Sequence, residues 1–311
     1  MLQAASFPQT NGPAVKRDDI ADNPQLPNQS AFRISHSAIV PLGVGLAFRE
    51  PFRAELFLRR QDVDFLEITA DHYLDAAPAK ERELDLLAEH FTLIPHGLEL
   101  SLGSAEGLDF AYLKKLARLV ERLNPPWWSE HLAFTRAGGF SIGHLAPLPF
   151  TSEAIAAVAR NVERVRDFIA APLILENITY LFAAPGGETD EARFLTEVLR
   201  ETNCGLLLDV TNLHINAANH GYDADEFLAR LPLERVTQLH FVGGHQHANW
   251  QIDSHSQPTP AGVWDLLEKV LARAPVKGAI LERDENLPPF GELVAELAQA
   301  RDLGRKYGRW A

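Results

Sequence analysis

The sequence predicts an α/β protein folded as a closed parallel (β/α)8 barrel. Three observations carry that prediction. Eight short apolar runs recur between residues 41 and 283, stretches with helical periodicity lie among them and after the last, and almost every apolar run ends in a side chain of metal-binding type. Eight strand and helix units in one chain close into a barrel, and a barrel gathers the C-terminal ends of its strands on one face, where active sites are built.

The runs can be followed in order. PLGVGLA begins at 41, and VDFLEIT at 63 carries Glu67 near its end. FTLIPHG at 91 ends on His96, WWSEHLAF at 127 holds Glu130 and His131, and PLILENI at 172 holds Glu176 and Asn177. GLLLDV at 205 reaches Asp209, RVTQLHFV at 235 reaches His240, and KGAILER at 277 reaches Glu282. Helical periodicity marks YLKKLARLVERL, SEAIAAVARNVERVRDFI, DEARFLTEVLRE, GVWDLLEKVLARA and, after the eighth strand, GELVAELAQARDL. The pair Trp127 and Trp128 at a strand start reads as core filling rather than as a stacking platform.

Composition narrows the function. With 311 residues and 46% hydrophobic content the chain can bury a large core as one domain. A formal charge of −13 disfavours nucleic acid, because binding phosphates requires a basic face. The lone Cys204 excludes an internal disulfide and a cysteine-only metal site, so a cytoplasmic location is expected. Residues 1–40, rich in Pro, Asn, Gln and Ser, read as a flexible tail without a signal-peptide core or a membrane span, leaving 41–311 as a single barrel domain. No repeat at solenoid periods is visible.

A single His or Asp at a strand end is usually a cap or a turn residue. Seven such ends converging on one mouth are different, since buried carboxylates are costly unless cations neutralise them. The segment GLLLDVTNLHINAANHG (205–221) adds Asn212 and His214, and GGHQHANWQIDSH (243–255) adds His245, His247, Asp253 and His255. Imidazole, carboxylate and amide without thiolate suit iron, zinc or manganese. His36, His90, His144 and His220 read as structural or surface residues, and Asn177 as a site residue or a cap.

The motifs HG at 96, SEH ending at 131, LEN at 175, DVTN at 209, QLH ending at 240, DSH at 253 and LER at 281 resemble those of the multinuclear non-haem iron-dependent oxidative enzymes, which include the iron enzyme of methanobactin biosynthesis (MbnB/TglH-like). The similarity covers about 41 to 305. It implies a xylose-isomerase-like TIM barrel holding two or three irons, mixed Fe2+ and Fe3+. The implied ligands are His96, His131, Glu176, Asp209, Asn212, His240, Asp253, His255 and Glu282, with His72, Glu130 and His214 as catalytic or supporting residues. It further implies O2-dependent modification of a cysteine in a ribosomally made precursor peptide, presented by a separate partner protein. Two metal-enzyme alternatives share the ligand order: an abasic-site endonuclease and a sugar isomerase. The acidic composition, and Asn212 where the endonuclease pattern has histidine, weigh against the first. A non-catalytic peptide-binding scaffold is a further alternative, but such a relative would have lost ligand-type residues, and none is missing.

Overall fold

The computed structural model describes residues 39–311. Nearly all of the expected N-terminal tail, together with His36, lies outside the described residues. The expected barrel is present. Its strands are β1 (Gly43–Ala47), β2 (Leu66–Thr69), β3 (Leu93–Gly97), β4 (Trp128–His131), β7 (Leu173–Glu176), β8 (Gly205–Asp209), β9 (Val236–Phe241) and β12 (Gly278–Leu281). They close in the order β1-β12-β9-β8-β7-β4-β3-β2, and every neighbouring pair is parallel.

Successive strand side chains point to opposite faces, so the sequence splits into lumen and helix-facing sets. Ala47, Phe65, Ile94, Trp127, Ile174, Leu207 and Ile280 belong to a small inner cluster that plugs the barrel. The alternate residues, such as Leu46, Leu66, Trp128, Leu175, Leu208 and Leu281, join the large layer between strands and helices. Both tryptophans are fully buried, Trp127 inside the barrel and Trp128 outside it. Burying an aromatic ring of this size removes a large apolar surface from water and dominates local packing.

The outer layer comprises α1 (Arg53–Leu58), α2 (Pro78–His90), α3 (Phe110–Leu123), α4 (Ser152–Arg166), α5 (Glu191–Thr202), α6 (Val210–His220), α7 (Ala224–Arg230), α8 (Ala261–Arg273) and α9 (Phe290–Lys306). Side-chain caps start several of them: Asp109 for α3, Thr151 for α4, Asp190 for α5 and Asp223 for α7. No helix among the described residues is long and apolar enough to cross a membrane.

Three segments add to the sequence reading. WWSEHLAF divides: β4 ends at His131, and β5 (Phe134–Ala137) turns into an antiparallel hairpin with β6 (Phe140–Ala146). The segment around His245 and Asp253, which follows the seventh strand, is another hairpin, β10 (Gly243–His247) with β11 (Trp250–Gln257). His214 lies on a helix, because α6 begins at once after β8, with Asp209 as its N-cap.

Candidate metal centre

The period-two register that fills the lumen with Ile94, Trp127, Ile174, Leu207 and Ile280 continues two or four residues further to His96, His131, Glu176, Asp209 and Glu282. On β9 the same register brings in Gln238 and His240. All of these side chains are buried except that of His131, which is partly exposed. They therefore meet above the apolar plug, on the face where the strands end.

Their geometry is that of donors facing shared points. Glu176 Oε2 lies 3.3 Å from His96 Nε2 and 3.2 Å from His131 Nε2, while Glu176 Oε1 lies 3.2 Å from His240 Nδ1. His240 Nδ1 is also 2.9 Å from Glu282 Oε2. Donor atoms of His96, His131 and Glu176 lie within 4.8 Å of one another, as do those of Glu176, Asp209, His240 and Glu282. Glu176 is common to both groups.

Among the described residues nine buried side-chain polar atoms lack a hydrogen-bond partner, and six belong to this constellation: Glu176 Oε2, Asp209 Oδ2, Asn212 Oδ1, His240 Nδ1, Asp253 Oδ1 and His255 Nε2. Native proteins rarely leave such atoms unsatisfied, because each costs about 1–3 kcal/mol. His240 Nδ1 stands within ion-pair distance of two carboxylates yet makes a hydrogen bond to neither, so angle rather than distance separates them. Cations between these donors would satisfy that arrangement.

Unpartnered atoms on Asp253 and His255 face one another at 2.8 Å, and Asn212, whose backbone N–H bonds Asp209, carries another. His255, Glu282 and Asp284 also offer atoms within 4.8 Å of one another. His255 Nδ1 is already engaged by Asp284 Oδ2 at 3.1 Å, however, whereas its Nε2 faces Asp253 Oδ1 at 2.8 Å without a hydrogen bond. The Nε2 side is the open one.

Supporting contacts fix the ligands. His96 Nδ1 meets Ser129 Oγ at 2.8 Å, and His131 Nδ1 meets the Gly97 carbonyl at 3.1 Å. His240 Nε2 bonds Glu67 Oε2 at 3.0 Å, and that oxygen also accepts from Gln238 Nε2 at 2.6 Å. Gln238 Oε1 in turn accepts from Trp127 Nε1 at 2.7 Å, joining the plug to the polar layer. Asp209 Oδ1 accepts from the backbone N–H groups of Thr211 and Asn212 at 2.7 and 2.8 Å, capping α6 and leaving Oδ2 for the lumen. A cap of this kind stabilises by about 1 kcal/mol.

The electrostatics agree with a site built for positive charge. Burial works against ionising Glu176, but His131, His240 and His96 outweigh it and hold its carboxyl down to about 2. Burial, then the charges of Glu176 and Asp253, push Asp209 up to about 7. Burial would lower His131, yet Glu176 and Glu130 raise it to about 9. His240 and His255 are raised well above the usual imidazole value by their carboxylates despite burial. The carboxylates favour the charged form of these imidazoles, and an ion at the same donors would compete with those protons.

His96, His131, Glu176, Asp209, His240 and Glu282 lie together at this mouth, Asp253 and His255 adjoin it through the His255–Glu282 pair, and Asn212 follows Asp209 on α6. Of the three supporting residues Glu130 contacts His131 and His72 lies near Arg49 and Asp284, while His214 packs elsewhere. Glu130 neighbours His131 on the same strand and alternates with it, yet its Oε1 lies 3.7 Å from His131 Nδ1, beside that imidazole. It accepts from the Leu100 and His131 N–H groups at 3.4 and 2.9 Å, and a Cβ on Gly97 would come within 2.4 Å of it. His214 packs against Gly262 of α8, whose Cβ would lie 2.6 Å from its ring. His72 is exposed, on the 3-10 turn after β2. Asn177 joins β7 to β8, its amide bonded to both Asp209 N (2.9 Å) and Asp209 O (3.1 Å). His144, His245 and His247 are exposed, and His220 stacks on Tyr180.

Sequence reasoning gave no role to Ser129, Gln238, Arg49 or Asp284, and noted Glu67 only as a polar strand end. For Ser129 and Gln238 a signal existed: each stands two residues before a histidine ligand and shares its face.

Comparisons with known proteins fit this geometry. The model of the family described as RiPP precursor modification enzyme MbnB/TglH/ChrH matches residues 43–305. A UPF0276 protein of Caulobacter vibrioides is 38% identical over 270 residues, covering 86% of this chain and 94% of that protein. Another from Shewanella oneidensis is 37% identical over 258 residues, covering 82% and 92%. Among solved structures, D-psicose 3-epimerase from Clostridium cellulolyticum H10 has a TM-score of 0.55 at 12% identity, covering 85% of this chain and 99% of its own. A xylose isomerase domain protein from Alicyclobacillus acidocaldarius has a TM-score of 0.50 at 17% identity, covering 86% and 98%. These two likenesses are of fold alone. The chain belongs to the MbnB/TglH/ChrH family of RiPP precursor modification enzymes.

Proposed function

We propose that the protein uses O2 to modify a cysteine in a ribosomally made precursor peptide, at a centre of two or three iron ions in mixed Fe2+ and Fe3+ states. The observation that carries this reading is the set of six unpartnered buried atoms, all on expected ligands, within a member of this family. His96, His131 and Glu176 would hold one ion, Glu176, Asp209, His240 and Glu282 a second, and Asn212, Asp253 and His255 a third. Iron with open coordination positions supplies O2 activation and a seat for a thiolate.

The chain's own contribution is placement. Glu176 ties the first two positions together, Glu67 and Ser129 orient imidazoles, and the apolar plug under the centre keeps water from its lower face. The hairpins β5–β6 and β10–β11 extend from strand ends and frame the approach of a peptide, which a separate partner protein presents. A cytoplasmic setting accords with the single buried free thiol, Cys204.

The test is to produce the protein together with a short Cys-containing peptide encoded beside it and any adjacent partner protein, then weigh the peptide. The reading expects an O2-dependent mass change that disappears when the peptide Cys becomes Ser. Oxygen-independent nicking of abasic DNA by the same preparation, with no change in the peptide, would overturn it in favour of the endonuclease alternative.

A further inference from the structure

We propose that Arg49 and Asp284 form a positioning pair for His255 and thereby govern occupancy of the third cation position; this rests on the metal reading above. Arg49 follows β1 by two residues and is mostly buried beside the mouth, where every nitrogen of its guanidinium is engaged. Nε donates to Asp284 Oδ1 at 2.8 Å, Nη2 bonds the same oxygen and approaches Glu282 Oε1 at 3.4 Å, and Nη1 donates to the Phe48 carbonyl at 2.9 Å. A guanidinium held at each nitrogen leaves its carboxylate partner little freedom.

The other oxygen of that carboxylate, Asp284 Oδ2, faces His255 Nδ1 at 3.1 Å. A carboxylate bound by arginine only accepts, so it holds a proton on Nδ1 and leaves Nε2 as the nitrogen that would give up its own proton to a cation. Nε2 is the atom left without a hydrogen bond, beside Asp253 Oδ1. That is the arrangement a metal-bound histidine needs, with a carboxylate behind it fixing the ring.

The backbone reinforces the pairing. The N–H groups of Asp284 and Glu285 both donate to the His255 carbonyl, at 2.9 and 3.3 Å, pinning the loop after β12 to hairpin β10–β11. His255 itself has φ of 49°, left-handed backbone inside a strand, which a non-glycine residue adopts at a cost and which neighbouring contacts must maintain. Arg49, Asp284 and His255 thus link the first strand, the last strand and the mouth hairpin through one chain of bonds.

The test is equilibrium dialysis of the full-length protein against buffered Co2+, with visible absorption of the bound ion as a coordination signature, for wild type, Asp284→Asn, Arg49→Gln and Arg49→Lys. We expect the third equivalent to weaken by about 10- to 100-fold in Asp284→Asn and Arg49→Gln, with the first two retained and their bands unchanged. Arg49→Lys, which keeps charge but loses the fork, should recover part of the loss. Three equivalents bound as in wild type by Asp284→Asn would overturn the proposal, as would uniform loss of all equivalents together with loss of circular dichroism. Normal metal binding in Arg49→Gln with a raised KM for the peptide would also overturn it, making Arg49 a substrate contact. A wild type that binds two equivalents overturns this proposal but leaves the multinuclear reading standing; one that binds none overturns both.

Discussion

Replacing Glu191 by Gln isolates a single buried charge outside the metal centre. Glu191 is the first residue of α5 and lines a small pocket with Leu132, Phe150, Ile178 and Phe194. Burial pushes its carboxyl up to about 7, and Asp190 adds to the effect, although the hydroxyls of Tyr180 (2.9 Å) and Tyr222 (3.4 Å) donate to it. The folded state therefore binds the proton more tightly than the unfolded chain, whose carboxyl keeps the ordinary 4.5. Stability from this group is greatest below 4.5, is lost as pH rises from there to about 7, and stays lost above. At about 1.4 kcal/mol per pH unit the gap amounts to roughly 3 kcal/mol. Gln keeps an acceptor for both tyrosines and cannot ionise. The assay is urea denaturation of wild type and Glu191→Gln at pH 5 and pH 8 at matched metal loading, where other titrating groups cancel in the difference. Because part of that gap is already lost at pH 5, Glu191→Gln should gain roughly 2.5 kcal/mol on wild type between the two pH values. A difference that does not change with pH would refute the reasoning.

Further outcomes follow from the shared ligands. Glu176 belongs to two donor groups and His96 to one, so Glu176→Ala should lose up to two ions per chain and His96→Ala one, measured by elemental analysis after desalting; equal loss in both would contradict the bridging role. Glu67→Gln keeps an acceptor for His240 Nε2 but removes its charge, so metal affinity in a chelator competition should fall by about 10-fold. Unchanged affinity would show that Glu67 serves the fold alone. His90→Ala, which removes a ring set edge-on to Phe57 at 5.4 Å, should leave bound metal as in wild type by the same analysis.

Much of the barrel was legible because its signal is local. An apolar run such as GLLLD ending in a carboxylate, followed by a helical period, states both the strand and its polar end. The polar lining of the mouth was legible for a related reason: period-two alternation that buries Leu207 in the lumen must bring Asp209 there too. The same rule, applied to neighbours, sets Glu130 on the other face of β4 from His131, from where its carboxylate still reaches the His131 ring. His214 was obscured by α6, whose start depends on Asp209 capping Thr211 and Asn212, a contact that motif spacing does not announce. Arg49 and Asp284 could not be paired from sequence at all. They are 235 positions apart, and only closure of β1 against β12 brings them together.

The most direct test of the account is the metal itself. Protein made in iron-supplemented cells and purified without oxygen should contain at least two irons per chain, because the nine ligands exceed what one six-coordinate ion can use, and its Mössbauer spectrum should show both Fe2+ and Fe3+. Stoichiometric zinc with no iron by elemental analysis, and no iron signal in the spectrum, would contradict the oxidative centre and turn the same donor set toward hydrolysis.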